Sequence, residues 1–258
     1  MFLTCTTVSY SQSANETLIR LQYKDTTNTK DLAVGLWANP LPMDYDQDGD
    51  LDLVISCTDV PFNGTFLFKN STKDQNGNPI FDAPIKIGDG MRNVAISYVD
   101  GEPRVLGVGL EYDNFRRYGY TRPIGLYQAS ELLDLYKERF SDWKYVDYDN
   151  DGDLDLIVGI DDWSEYGWDN AFNEKGEWTN GDLRGYLYLL TNDQGKYRND
   201  GKILAGNQPI DVYGNTTPNM ADFDGDGDLD IICGEFVDRF TYFENTGSRE
   251  NPSYAKGR

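Results

Sequence analysis

At 258 residues, 39% apolar and 14% aromatic, the chain can bury a sizeable core and is too aromatic for a disordered segment. A formal net charge of −21 disfavours nucleic acid and anionic membranes as partners, and no apolar run approaches the ~20 residues that span a bilayer. His is absent, which excludes a protease or hydrolase with a His base from this segment.

Residues 1–14 read as the tail of a secretory signal peptide, with Phe2, Leu3 and Val8 among small residues and Ser9-x-Ser11 before Gln12. The apolar stretch is short and lacks a basic lead, so the reading places the true start upstream; a frayed N-terminus is the alternative. The first reading makes the protein secreted, periplasmic or cell-surface. Cys5 falls in this segment, while Cys57 and Cys233 close equivalent apolar runs and are expected to be buried free thiols.

Four units follow, at about residues 30–90, 91–140, 141–205 and 206–258. The first carries the acidic loop Asp44, Asp46, Asp48, Asp50, Asp52, then an apolar run ending Ile55-Ser56-Cys57 and an aromatic strand Thr65–Phe68 leading to Asn70. A fourth strand is expected within Ile80 to Ile87. The second unit keeps both flanking strands, Asn93–Val99 and Pro103–Val108, but its loop shrinks to Asp100-Gly101-Glu102, a hairpin turn too short for an ion. Ser130 to Phe140, with Leu132, Leu133, Leu135 and Tyr136, predicts an inserted helix. The third unit repeats the pattern: Trp143–Val146, then Asp147, Asp149, Asp151, Asp153, Asp155, the run Leu154–Ile160, and Gly185–Leu189 leading to Asn192. The fourth has Asp222, Asp224, Asp226, Asp228, Asp230, the run to Cys233, and Phe240–Phe243 leading to Asn245.

This grammar predicts an all-β chain, a β-propeller of four-stranded antiparallel blades. The outer strand of the fourth unit has barely begun at Ser253-Tyr254-Ala255 when the sequence stops at Arg258. Two explanations compete: the front part of a propeller of about seven blades, or a four-bladed ring in which Thr17 to Tyr23 supplies the missing strand.

The three loops hold 15 of the 44 acidic residues at fixed spacing, with Gly recurring in place, unlike an ordinary acidic face. Carboxylates at positions 1, 3 and 5, the carbonyl of position 7 and the Asp at position 9 offer a hard-oxygen shell suited to Ca2+. Gly49, Gly152 and Gly227 at position 6 supply positive φ; Leu51, Leu154 and Leu229 at position 8 are expected to pin each loop to the core. Nitrogen and sulfur ligands are missing from the loops, which argues against zinc, copper or haem iron. The predicted role of calcium is structural, at three sites.

The Asp-x-Asp-x-Asp-Gly-x-Leu-Asp-(Leu/Ile)-(Val/Ile) units resemble the FG-GAP/VCBS repeats of integrin-type β-propellers over most of residues 30–258. The resemblance implies that each calcium loop joins the first and second strands of a blade on one face. The second-to-third connections then open on the opposite face, which often binds ligands. Those connections are read as Thr58–Gly64, Glu111–Arg122, Asp161–Leu183 and Glu235–Arg239.

Candidate ligand residues on that face are Arg116, Arg117 and Arg122, whose guanidinium forks suit carboxylate or sulfate, and Trp163, Trp168 and Trp178, which could stack on sugars. Tyr118 or Tyr120 beside Arg116 and Arg117 is a candidate general base if its pKa is lowered. The plainer alternative is that these aromatics pack the loops and the arginines pair with nearby acids. Two function classes follow: a calcium-stabilised module binding a glycan or extracellular protein, or a propeller-type polysaccharide lyase acting on a uronate glycan. The lyases of ulvan type are associated with His, which this chain lacks.

Overall fold

The computed structural model describes residues 19–133, 137–167, 170–237 and 239–258. The signal-peptide reading, Cys5 and Trp168 lie outside them. The described chain is all-β, built from several antiparallel sheets.

A hairpin of β1 (Gln22–Asp25) and β2 (Asn28–Asp31) precedes the first repeat sheet. That sheet contains β3 (Asn39–Met43), β4 (Asp52–Cys57) and β5 (Gly64–Phe68). The chain then detours through β6 (Asn70–Lys73) and β7 (Pro79–Phe81) before β8 (Ile85–Gly88) completes the order β3-β4-β5-β8. Ile80 to Ile87 is therefore not one strand: Ile80 belongs to the detour and Ile85 to the repeat sheet. Gln22 and Tyr23 pair in parallel with Ile80 and Phe81. Tyr23 also packs edge-on against Phe68, so this segment is committed to the first unit and is not the outer strand of the fourth.

The second sheet has β9 (Ala95–Val99), β10 (Glu102–Gly107), β11 (Leu110–Tyr112) and β12 (Pro123–Gly125) in sequential order. Val99 pairs with Glu102 around Asp100 (φ 52°) and Gly101 (φ 81°), the doubly left-handed turn that suits a two-residue hairpin. Gly107 pairs with Leu110, so β10 and β11 are joined by Val108-Gly109 alone. The expected long second-to-third connection is thus a tight turn. The Arg-Tyr segment instead joins β11 to β12 and carries the short helix α1 (Phe115–Tyr118) and a 3-10 turn at Gly119–Thr121. The expected helix over Ser130 to Phe140 is not found among the described residues. A 3-10 turn covers Ala129–Glu131, and Glu138 already begins a strand. Leu132 and Leu133 pack on the Trp143 core, so their apolar spacing reflects burial of an irregular segment rather than a helix.

The third sheet runs β13 (Glu138–Val146), β14 (Asp155–Asp162), β15 (Arg184–Asp193), β16 (Lys196–Lys202). A small hairpin, β17 (Leu204–Ala205) with β18 (Gln208–Pro209), leads to β19 (Asp211–Val212), which also pairs with β15. The fourth sheet has β20 (Thr217–Ala221), β21 (Asp230–Gly234) and β22 (Phe240–Phe243). Its outer position is taken by the last residues: Tyr242 and Arg258 exchange backbone hydrogen bonds at 2.9 and 3.0 Å, and Ala255 N–H donates to Glu244 O at 2.8 Å.

The first strands of successive units lie side by side: β3 against β9, β9 against β13, β13 against β20. Core layers fill the gaps between sheets. Leu41, Val54 and Leu67 meet Val94 and Val105; Leu106 meets Trp143 and Leu156; Ile157 and Leu187 meet Ile231 and Phe243. A repeat sheet cannot bury both faces alone, and each such side chain is worth about 1.5–3 kcal/mol on burial. Cys57 and Cys233 are buried free thiols within this packing, as expected. Among the described residues no helix is long and apolar enough to cross a membrane.

Candidate functional site

The acidic loops all leave the same end of the first strands. In each, the position-6 glycine is left-handed: Gly49 at φ 97°, Gly152 at 90°, Gly227 at 99°. This turns the chain so that carboxylates from Asp44, Asp46 and Asp48, from Asp147, Asp149 and Asp155, and from Asp222, Asp224 and Asp226 fall within 4.8 Å of one another. The position-7 aspartates differ in role. Asp50, Asp153 and Asp228 each donate a backbone N–H to the position-5 carboxylate, of Asp48, Asp151 and Asp226, closing a local turn.

The position-9 aspartate is the loop's latch. Asp52 accepts Tyr45 N–H and Asn70 N–H at 3.0 and 2.8 Å; Asp155 accepts Tyr148 and Asn192 at 2.9 and 2.8 Å; Asp230 accepts Phe223 and Asn245 at 3.1 and 2.8 Å. The recurrent Asn at or just past the end of the third strand is the second donor each time. The expected anchor, Leu at position 8, does not act as one: Leu51 is 56% exposed and Leu154 and Leu229 are half-buried. Strand alternation turns position 9, not position 8, inward.

The donor set is all oxygen, which fits a hard divalent cation. Asp147 Oδ1, Asp149 Oδ1 and Asp228 Oδ1 are buried with no hydrogen-bond partner among the described residues. Burial, aided by Asp149 and Asp151 and opposed by the two N–H donors, pushes Asp155 up to about 6. A cation would offset this crowding. Basic side chains brace the loops from outside. Lys69 pairs with Asp46 at 2.8 Å, Arg116 Nη1 donates to Asp44 O at 3.1 Å, and Arg249 donates to the carbonyls of Asp147 and Tyr148. Arg116 and Arg249 both come from the third-to-fourth connection of the next unit.

At the opposite end, the starts of the first strands surround a cavity of about 490 Å³. Trp37, Asn93, Phe140 and Asn215 line it, with Asn39, Ala95, Asp142 and Thr217, each two residues further along, and with Lys144 and Asn219. Trp37, Asn93 and Asn215 are all left-handed, at φ 55°, 52° and 42°. Asp142 is buried, which raises its carboxyl pKa against the opposing effect of Lys144, 3.7 Å away. Lys144 Nζ also donates to Asn219 Oδ1 at 2.7 Å.

No protein-family model, curated protein or solved structure matches the chain.

The expected ligand residues do not converge. Because Val108-Gly109 is so tight, Arg116, Arg117 and Arg122 emerge after the third strand, at the acidic-loop end rather than opposite it. Arg116 pairs with Glu102 at 2.8 Å and Arg122 with Asp113 at 3.8 Å; Arg117 and Arg122 flank the Tyr118 ring, the latter at 3.6 Å. Tyr120 is wedged against Tyr112 and Phe115, with ring centroids at 4.8 and 5.1 Å, and burial raises its pKa, the wrong direction for a base. Trp163 does lie at the cavity end, but it is buried: its indole N–H donates to Asp161 and its ring carries Arg139 at 3.8 Å. Trp178 stacks on Tyr166 at 4.5 Å and abuts Phe172. Trp37, Arg92 and Arg139, which do face the cavity, were not legible as a group. A signal existed: Arg92 and Arg139 each stand eight residues ahead of their unit's loop, at Asp100 and Asp147.

Proposed function

We propose that this chain is a secreted, calcium-stabilised repeat module of the FG-GAP/VCBS type, its sheets arranged as propeller blades, which works by binding a glycan or extracellular protein. The observation that carries the calcium reading is the triple recurrence of one bonding scheme: clustered carboxylates, a left-handed Gly and a buried latch Asp. Asp147 Oδ1 and Asp149 Oδ1, buried and unpartnered, support it further. Asp44, Asp46 and Asp48, Asp147, Asp149 and Asp155, and Asp222, Asp224 and Asp226 would hold the ions. Bound calcium would supply charge neutralisation and lock the loops. The blade arrangement is supported by the lateral order of the first strands, β3, β9, β13, β20. The lyase reading has less support: of its two candidate bases, Tyr118 and Tyr120, the latter is buried with a raised pKa, and Arg116 braces an acidic loop.

Calcium titration by calorimetry, with melting curves in calcium and in excess chelator, tests the reading. At tenfold excess over Kd each site adds about 1.4 kcal/mol. Three sites then correspond to a drop of roughly 10 °C in Tm on chelation for a chain of this size. An unchanged melt and no calcium-binding heat would overturn it.

A further inference from the structure

We infer that the cavity at the end opposite the acidic loops is a binding site for a sugar acid, a pyranose carrying a carboxylate, held by Arg92 and Arg139 with its ring on Trp37. The inference deepens the binding-module reading and rests on it.

In a chain of net charge −21, the cavity wall gathers Arg92, Arg139 and Lys144. Lys144 is satisfied by Asp142 and Asn219. Arg92 donates from Nε to Thr58 Oγ1 at 3.1 Å and has no carboxylate partner among the described residues. Arg139 ion-pairs with buried Asp161 at 3.6 Å, but its Nε and Nη2 are buried without a hydrogen-bond acceptor among the described residues. Asp161 is already used by the Trp163 indole and the Asn215 N–H. Packing on Trp163 at 3.8 Å pre-orients the Arg139 guanidinium without consuming its donors. A guanidinium fork with spare donors suits a planar carboxylate.

A bulky residue such as Trp37 at φ 55° is strained, whereas its counterparts Asn93 and Asn215 are of the type that tolerates this region. The strain sets a 40% exposed indole in the cavity lining, with the Arg139 and Arg92 guanidinium groups over its ring at 5.1 and 6.0 Å from the centroid. An aromatic face beside charged donors matches a ligand with an apolar ring face and an anionic substituent. The lining also carries Asn215, whose Oδ1 is a buried acceptor without a partner among the described residues and could take a ring hydroxyl. The volume of about 490 Å³ lies in the range of small-ligand sites, roughly 300–1,000 Å³. A bare inorganic anion would leave Trp37 and the amide unused.

The test is calorimetry on the full chain in calcium with four probes: a galacturonic-acid trisaccharide, the neutral galactose trisaccharide, inorganic sulfate and a poly-glutamate peptide. The expected result is binding of the acidic trisaccharide only. Arg92→Gln and Arg139→Gln should each weaken it about tenfold or more, the cost of one charge-assisted hydrogen bond. Trp37→Asn should weaken it at least about fivefold while Tm holds or rises, because Asn accepts the backbone that Trp resists. Arg198→Gln, at a remote side chain 73% exposed, should leave affinity unchanged. Equal binding of the neutral trisaccharide, binding of sulfate or poly-glutamate instead, wild-type affinity in the Arg92→Gln/Arg139→Gln double variant, or no binding of the acidic trisaccharide would each overturn the inference. Calcium heats and chelator melts are read separately, so failure here and failure of the calcium reading are distinguishable.

Discussion

Asp155 offers a perturbation that separates a metal ligand from a structural latch. Its carboxylate is 2% exposed and accepts two backbone N–H groups, from Tyr148 at 2.9 Å and Asn192 at 2.8 Å. Asp155→Ala removes both acceptors and leaves two donors buried, at about 1–3 kcal/mol each. The expected loss is about 3–5 kcal/mol, a large share of a typical total of about 5–15 kcal/mol. Because both bonds are internal to the protein, the loss should persist in excess chelator. Asp151→Ala is the contrast. Among the described residues that exposed side chain accepts only the Asp153 N–H, so its variant should lose less than about 1 kcal/mol in chelator. Urea unfolding at pH 7.5, above the value of about 6 to which burial pushes Asp155, keeps the wild-type carboxylate ionised. If Asp155→Ala matches wild type within about 0.5 kcal/mol once calcium is stripped, the latch argument is wrong and the residue matters only through metal.

Arg249→Gln should lower calcium-free stability by about 1–2 kcal/mol, because it frees the carbonyls of Asp147 and Tyr148, and urea unfolding in chelator would detect it. A Cβ at Gly159 would sit 2.0 Å from Thr216 O on the neighbouring unit, so Gly159→Ala should cost more than about 3 kcal/mol or abolish soluble expression. Gly152→Ala meets nothing within 4 Å and should cost only its backbone strain at φ 90°, about 1 kcal/mol, read as a small Tm shift.

What could be read in the sequence was whatever one unit decides for itself. Repeat spacing, the left-handed Gly at position 6, the Asp100-Gly101 hairpin and the buried thiols follow from short-range geometry, and the chain adopts them. Parity between neighbouring strands was not legible. A turn of only Val108-Gly109 moves Arg116 to the acidic-loop end, and alternation buries Asp52 while leaving Leu51 exposed. Nor does local pattern distinguish a helix from the irregular apolar segment that Trp143 draws in at Leu132 and Leu133. The cavity is the most tertiary feature of all. Trp37, Arg92, Arg139 and Asn215 stand at the starts of four different first strands, and only the side-by-side packing of those strands brings them to one cavity.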